Sequence, residues 1–404
     1  MVRQEYDFVI ISGGTAGLVV ATGLTENVDV SALVPEAVEN ALQDPRIDIP
    51  AMWSAVFGTD LDWDFMAMPQ EELNGRQIGE PQGYVLGGSG AINAEVFIRP
   101  SAVGFDAWEP LGNPGWSWHD VAPYFRRFHT LNMPNEVVAK HLDLSWIDEA
   151  IKGTSGPIQT NFIGVVEDPL GKAWNETFRK LGLVFEGGPF NGRGLGGWWI
   201  PASIDPVSKT RSYAAAAYFA PAKSREILRS SPALTGVIFK LKDGTTHQVN
   251  ANREVLLAAG VFKSPKMLEL SGVGGKALLD RLGIETKVNN PGVCEYLQDH
   301  LMTRSSAPNE ACGSLFMIPA QVNLHNGPKQ SGMTRDCKPG DFISIGAFLQ
   351  YPLSRSTSHI SSLDPSAPPT IDSCYLSLPL DIEIYARHPM ASRWALIERP
   401  AAIT

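Results

Sequence analysis

The spacing of apolar positions changes period along the chain, and the clearest change comes near the N-terminus. Phe8-Val9-Ile10-Ile11 is a short, continuous apolar run, the pattern of a parallel strand buried on both faces. It passes through Ser12-Gly13-Gly14-Thr15-Ala16-Gly17 into a helical pattern over Leu18 to Leu24, and a second apolar run follows from Val30 to Val34. Strand, turn, helix and strand in this order predict a βαβ unit. Val249 to Ala259 reads as another buried strand, after which Gly260, Ser264 and Pro265 open a helix that ends at Leu270-Ser271-Gly272. Helices are also predicted over Ala173 to Leu181 and Asp381 to Arg387, and Arg211 to Phe219 reads as a helix with an arginine at its start. From Asp44 to Gln82 neither period is sustained. Trp53, Trp63 and Phe65 weigh against disorder there, so the stretch is expected to be a long, irregular covering segment.

The turn of the βαβ unit carries the first candidate chemistry. In a dinucleotide fingerprint one glycine makes the tight turn, a second lets the backbone approach a pyrophosphate, and a third brings helix against strand. The helix N-terminus offers free N–H groups to the anion. Gly14 and Gly17 fill the second and third places, and Ser12 stands at the first. Either the turn takes φ values that a serine tolerates, or the phosphate loop is impaired. Glu36 lies about twenty residues beyond the glycines, where an acid accepts from a ribose hydroxyl. A second glycine-rich stretch, Gly83-Tyr84-Val85-Leu86-Gly87-Gly88-Ser89-Gly90-Ala91-Ile92-Asn93, either brings N–H groups and the Asn93 amide to a flat polar ligand or merely packs tightly.

Composition narrows the partners. The chain has 404 residues, room for about two domains, with 44% hydrophobic and 19% charged residues. Its 33 Lys and Arg against 43 Asp and Glu give a net charge of −10, which disfavours nucleic acid and leaves a small organic substrate as the default. Cys294, Cys312, Cys337 and Cys374 lack the spacing of a zinc site or redox pair and read as isolated buried thiols, so no metal is expected. No apolar run approaches the roughly 18 residues of a membrane span, and the first strand is too short and glycine-broken for a signal peptide. A cytoplasmic protein is therefore expected, in which Asn175-Glu176-Thr177 is only a formal glycosylation site. Ser155 lacks the flanking pattern of a nucleophile elbow.

The Gly83 to Asn93 stretch resembles the first signature of the GMC (glucose–methanol–choline) oxidoreductases, a flavoprotein family, with Tyr84 at a usually basic position and Glu95 at a usually uncharged one. An acid beside a flavin raises the cost of a reduced, anionic ring, so Glu95 is expected to matter there or to turn to solvent. Gly260 to Gly274 resembles the second signature, with Val261 where a small residue is usual. Pro291 to His300 resembles the turn that follows, with Cys294 and Tyr296 in place of a glycine and an asparagine. Phe105 to Phe125, Gly153 to Ile158, and the segments around Tyr351, His359 and Ile371 continue the resemblance.

That resemblance implies an α/β fold, a Rossmann-like FAD-binding domain with a partial α+β substrate domain. It divides the chain at 1–305 and 306–404, with part of the substrate sheet around 155–205. It implies FAD, held by Thr15, Ala16, Glu36, Ala37, Gly88, Asn93, Ala94 and Val96 together with Gly14 and Gly17 of the turn, and a small alcohol, of aryl or secondary-metabolite type, as substrate. His300 sits in a turn that the family uses structurally, so no catalytic residue is assigned. The family's histidine segment is not found after His388, and by the resemblance strands are expected to be missing before Val237 and between Arg304 and Phe342. Val237 is therefore not the family's cofactor-contacting valine. An impaired alcohol oxidase or dehydrogenase is the first expectation. A non-redox lyase or cyclase, favoured by Ser12, Pro35 and Glu95, and a non-catalytic remnant are the alternatives.

Overall fold

A computed structural model describes residues 5–38, 41–162, 170–180, 186–188, 190–223, 236–240, 245–300, 302–304, 313–318 and 344–386. The expected boundary at 305/306, Cys312 and Cys337, much of the stretch from Arg304 to Phe342 and everything after Ala386 lie outside these residues.

Strand β1, Glu5–Ile11, is the centre of a four-stranded sheet. It pairs in parallel with β2, Ala32–Leu33, on one side and with the strand Thr246–Leu257 on the other. Gly236–Lys240 adds an antiparallel edge, giving a four-stranded sheet. The continuous apolar run of β1 has a simple cause, because each of its faces meets a separate core. Ile10 packs with Ala21, Ala32, Val34 and Ala222 on one face. Tyr6 and Val9 pack with Leu33, Val237 and Val249 on the other. Val237 thus belongs to the sheet core. The strand expected over Val249 to Ala259 is not buried throughout: Val249 is 2% exposed and Val255 38%. Its exposed middle carries Arg253, which pairs with Asp7 and lies over the Phe8 ring, and beyond it Leu256 and Ala258 pack against the Ile10 core.

Helix α1, Thr15–Leu24, crosses from β1 to β2 and buries Leu18 and Ala21. The irregular stretch after Asp44 covers it. Its regular pieces are short: a helix Pro45–Asp48, 3₁₀ segments Pro50–Val56 and Glu71–Leu73, and the strand pair Phe65–Met66 with Gly79–Glu80. Ile47, Val56, Phe57 and Leu61 form one core with Leu18, Val85, Leu86, Tyr213 and Phe219. The helix expected from Arg211 starts later, as a π-helix over Ala215–Phe219. Arg211 instead bridges to Ile204 in extended backbone, and its N–H donates to the Asp48 carbonyl at 3.1 Å. The helix expected over Ala173 to Leu181 is found over Leu170–Lys180.

The second signature forms the helix Gly260–Leu270. Against it stands the strand Thr357–His359, which the resemblance assigns to the substrate side, paired antiparallel with Thr370–Asp372. A separate three-stranded sheet joins Met302–Arg304, Ser344–Leu349 and Gly313–Ile318. Residues 379–386 are helical. Among the described residues no helix is long and apolar enough to cross a membrane.

Candidate cofactor site

The glycine turn resolves the question that Ser12 poses. Ser12 has φ +81°, a left-handed conformation that costs an L side chain of this kind about 1 kcal/mol. The turn therefore demands what glycine gives freely, and serine meets the demand with its hydroxyl, which donates to Glu36 Oε2 at 3.1 Å. The same carboxylate oxygen accepts from the Gly13 N–H at 2.6 Å, and Oε1 accepts from the Ala37 N–H at 2.7 Å. Gly17 is required by space: a Cβ there would lie 2.0 Å from the Ser12 carbonyl oxygen. Gly14 caps α1, and no side chain satisfies the first-turn N–H groups beside exposed Thr15 and Ala16.

The second glycine loop locks onto the first. The Gly87 N–H donates to the Gly13 carbonyl at 2.8 Å, and Thr15 Oγ1 donates to the Gly87 carbonyl at 3.0 Å. Gly88 has φ +58°, and a Cβ on it would stand 3.0 Å from Gly14 Cα. Two backbones can approach this closely only because neither carries a side chain at the contact. The structure thus brings Gly14, Thr15, Ala16, Gly17 and Gly88 together, with Glu36 and Ala37 just beyond β2. Asn93, Ala94 and Val96 lie further along the same loop, all exposed, Val96 by 58%.

One buried arginine, read from sequence only as the start of a helix, holds that loop. Arg211 donates from Nη1 to the Asn93 carbonyl at 2.8 Å and to Asn93 Oδ1 at 2.9 Å, and from Nε to the Ile47 carbonyl at 3.0 Å. Glu95 does not turn to solvent. It is 4% exposed, with Oε1 3.2 Å from Arg211 Nη2. Burial pushes the Glu95 carboxyl up to about 7 while the guanidinium pulls it back. The Asn93 side-chain oxygen also accepts from the Glu95 N–H, fixing the backbone between them. A second residue that the sequence did not single out is Lys263, whose Nζ lies 2.6 Å from the Trp63 ring centroid. Burial and Lys266 lower its pKa to about 7, against the pull of the Glu36 charge. The signal available for it was a lysine near the start of the helix predicted after Gly260, beside the strand read as buried, where an amine needs a partner. His300 and Ser155 are exposed.

This geometry meets an independent finding. The family model for GMC oxidoreductases matches residues 6–191 and 213–302. The chain belongs to the GMC oxidoreductase family. A GMC oxidoreductase family protein of Malassezia sympodialis is 28% identical over 94% of the chain and 74% of its own length. The oxygen-dependent choline dehydrogenase of Sinorhizobium medicae is 35% identical over 74% of the chain and 53% of its own. The chain thus spans about half the length of that second relative. An FAD-dependent oxidoreductase from Chaetomium thermophilum superposes with a TM-score of 0.82 at 25% identity, covering 98% of this chain and 82% of its own.

The family's flavoenzymes are FAD-dependent, and the residues present here fit that group. The cradle between Gly14 and Gly88 would be filled by a single Cβ, and the adjoining helix N-terminus has no side-chain cap. Glu36 lies three residues beyond the second strand, close to where the fold's ribose-binding acid stands. A carboxylate has about four acceptor sites, and the Gly13, Ser12 and Ala37 donors occupy three, which leaves one for a ribose hydroxyl.

Proposed function

We propose that this GMC oxidoreductase binds FAD across its two interlocked glycine loops and oxidises a small alcohol, of aryl or secondary-metabolite type, to an aldehyde or ketone. The observation that carries the reading is the contact between Gly13-Gly14-Thr15 and Gly87-Gly88, which joins the two stretches the resemblance assigns to one cofactor. In this reading Gly14, Thr15, Ala16 and Gly17 hold the diphosphate through backbone N–H groups, and Glu36 and Ala37 hold the ribose end. Gly88, Asn93, Ala94 and Val96 line the rest. Arg211 keeps Asn93 and the loop backbone in place through its fixed fork of donors. Bound FAD supplies the two-electron acceptor for a hydride from the carbinol carbon. The protein's part is positioning and the exclusion of competing charge, and pairing with Arg211 keeps the buried Glu95 from acting as a free anion near the loop. The choline dehydrogenase among the relatives, an alcohol-oxidising enzyme by name, supports the substrate class.

Ser12 and Glu95 are among the departures that favour a non-redox lyase or cyclase. Both are accommodated inside the fold, Ser12 by the Glu36 carboxylate and Glu95 by Arg211, and this weighs toward the redox reading. The test is the absorption spectrum of the purified protein before and after denaturation, followed by anaerobic addition of alcohols. Two flavin bands that shift on release and bleach with an alcohol are expected. Bands that never bleach would move the assignment to the non-redox reading. A flat spectrum with no uptake of added FAD would overturn cofactor binding itself.

A further inference from the structure

The helix of the second signature carries a fully buried acid, Glu269. Two other segments bring donors of different chemistry to it. His359, at the end of the strand Thr357–His359, places Nδ1 2.7 Å from Glu269 Oε1, from a position 90 residues further along the chain. The buried Cys294 thiol also hydrogen-bonds the Glu269 carboxylate. One ligand atom from each of the three lies within 4.8 Å of the others. The remaining oxygen of Glu269 accepts from the Ile360 N–H at 2.9 Å, which fixes the carboxylate plane. On the far side of the imidazole, Nε2 lies 3.1 Å from Glu295 Oε1. A carboxylate behind a histidine is the arrangement that orients metal-binding imidazoles.

We propose that Cys294, His359 and Glu269 form a binding site for one zinc-class divalent cation, with Glu295 as the outer carboxylate that orients His359. The donor set decides the metal. Thiolate, imidazole and carboxylate together suit zinc, whereas calcium and magnesium demand oxygen ligands throughout. Proton and charge balance are satisfied without any other reactant: the protons on Cys294 Sγ and His359 Nδ1 both face Glu269, and one dication replaces the pair. The His359 side chain is 29% exposed, so water can supply the fourth ligand. Cys294 itself is held at φ +69°, a backbone conformation that glycine adopts freely and cysteine only at a cost. The site would tie the signature helix, the turn after it and the substrate-side strand into one unit, which spacing along the sequence could not reveal.

The experiment uses the full chain, stripped with a chelator and titrated with Zn²⁺ alone, then with Co²⁺ as a spectroscopic probe. One Zn²⁺ per chain, a raised Tm and a thiolate-to-cobalt charge-transfer band in the near ultraviolet are expected. Cys294→Gly relieves the backbone and should fold; it should lose the band and weaken Zn²⁺ by more than the roughly 10–100-fold that removal of an outer-shell partner costs. Glu295→Gln should weaken Zn²⁺ about 10-fold with the band retained. The proposal is overturned if the wild-type chain takes up no stoichiometric Zn²⁺, if Co²⁺ binds without a thiolate band, or if Cys294→Gly binds Zn²⁺ unchanged. The wild-type cobalt spectrum decides the matter even if the variant does not fold.

Discussion

The cofactor end and the substrate-side strand pair are held by different means. At the cofactor end backbone meets backbone: Gly87 N–H on the Gly13 carbonyl, Ser12 N–H on the Pro35 carbonyl, Ala258 N–H on the Ile11 carbonyl. Glycine keeps side chains out of the closest contacts, between Gly17 and Ser12 and between Gly88 and Gly14. On the substrate side, buried side chains do the joining. Asp381 takes three donors, the Leu353 and Ser354 N–H groups and the Ser354 hydroxyl, at 2.8, 2.7 and 2.6 Å. Gln70 accepts from the Tyr375 N–H and donates to Asp372, and Glu80 accepts from Ser373 and Tyr375. The first kind of joint tolerates no added atom, and the second tolerates no lost one.

The largest expected effect tests the first half of that statement. Gly17→Val places a branched side chain where even a Cβ would be 2.0 Å from the Ser12 carbonyl. Overpacking of this kind costs about 3 kcal/mol or more, since both neighbours are backbone. Chemical denaturation should show that loss, and FAD titration should show binding abolished.

Asp381→Ala tests the second half. It strands two buried N–H groups and a hydroxyl, at about 3 kcal/mol in total. FAD affinity, measured in the same preparation below the unfolding transition, should stay within about twofold of the native protein, because none of the glycine-loop residues takes part. Equal losses of stability and cofactor affinity would merge the two regions into one cooperative site.

This contrast also explains what the sequence could disclose. A backbone joint makes its demand on the residue type at the contact itself, so its requirements are written at the site: the βαβ pattern, Gly14, Gly17 and Glu36 could be read from one window of the chain. The turn after the second signature was legible in the same way. Cys294 and Tyr296 stand where the family has glycine and asparagine, and their φ values of +69° and +61° show why those two residue types are usual there. Side-chain joints give no such sign. From sequence Glu95 stays open between the ring's surroundings and solvent because its partner, Arg211, lies far along the chain, and Glu269 stands as one more residue of a predicted helix because His359 is 90 positions away. The strand expected over Val249 to Ala259 reads as buried throughout because composition does not show which neighbours cover its middle.

The pH dependence of the substrate side follows from a shortage of protons. Tyr375 has one hydroxyl proton, yet its oxygen contacts both Glu80 Oε1 and Asp299 Oδ2. Burial and the nearby Asp299 charge push the Glu80 carboxyl up to about 7. A carboxyl raised in the folded state favours folding most when it is protonated in both states, and that contribution is lost as the pH climbs through its folded value. Stability from this group should therefore be full below about 4.5 and fall as the pH rises toward about 7. The expected loss is on the order of 2 kcal/mol, reduced by the partial exposure of Glu80. Glu80→Gln should flatten the curve of unfolding free energy over that window, and an unchanged slope would assign the dependence elsewhere.

The smallest effect is expected at Ser12, where the two kinds of joint meet in one residue. Its φ of +81° costs about 1 kcal/mol relative to glycine, and its hydroxyl returns a bond to the Glu36 carboxylate of about 1.5 kcal/mol. Ser12→Gly removes cost and bond together, so stability should move by less than about 0.5 kcal/mol. Ser12→Ala keeps the strained backbone and removes the bond, so it should lose about 1–1.5 kcal/mol. The pair of variants separates the backbone requirement from the side-chain compensation. If alanine were as stable as serine, the hydroxyl would contribute nothing, and if alanine and glycine behaved alike, the left-handed backbone would impose no cost.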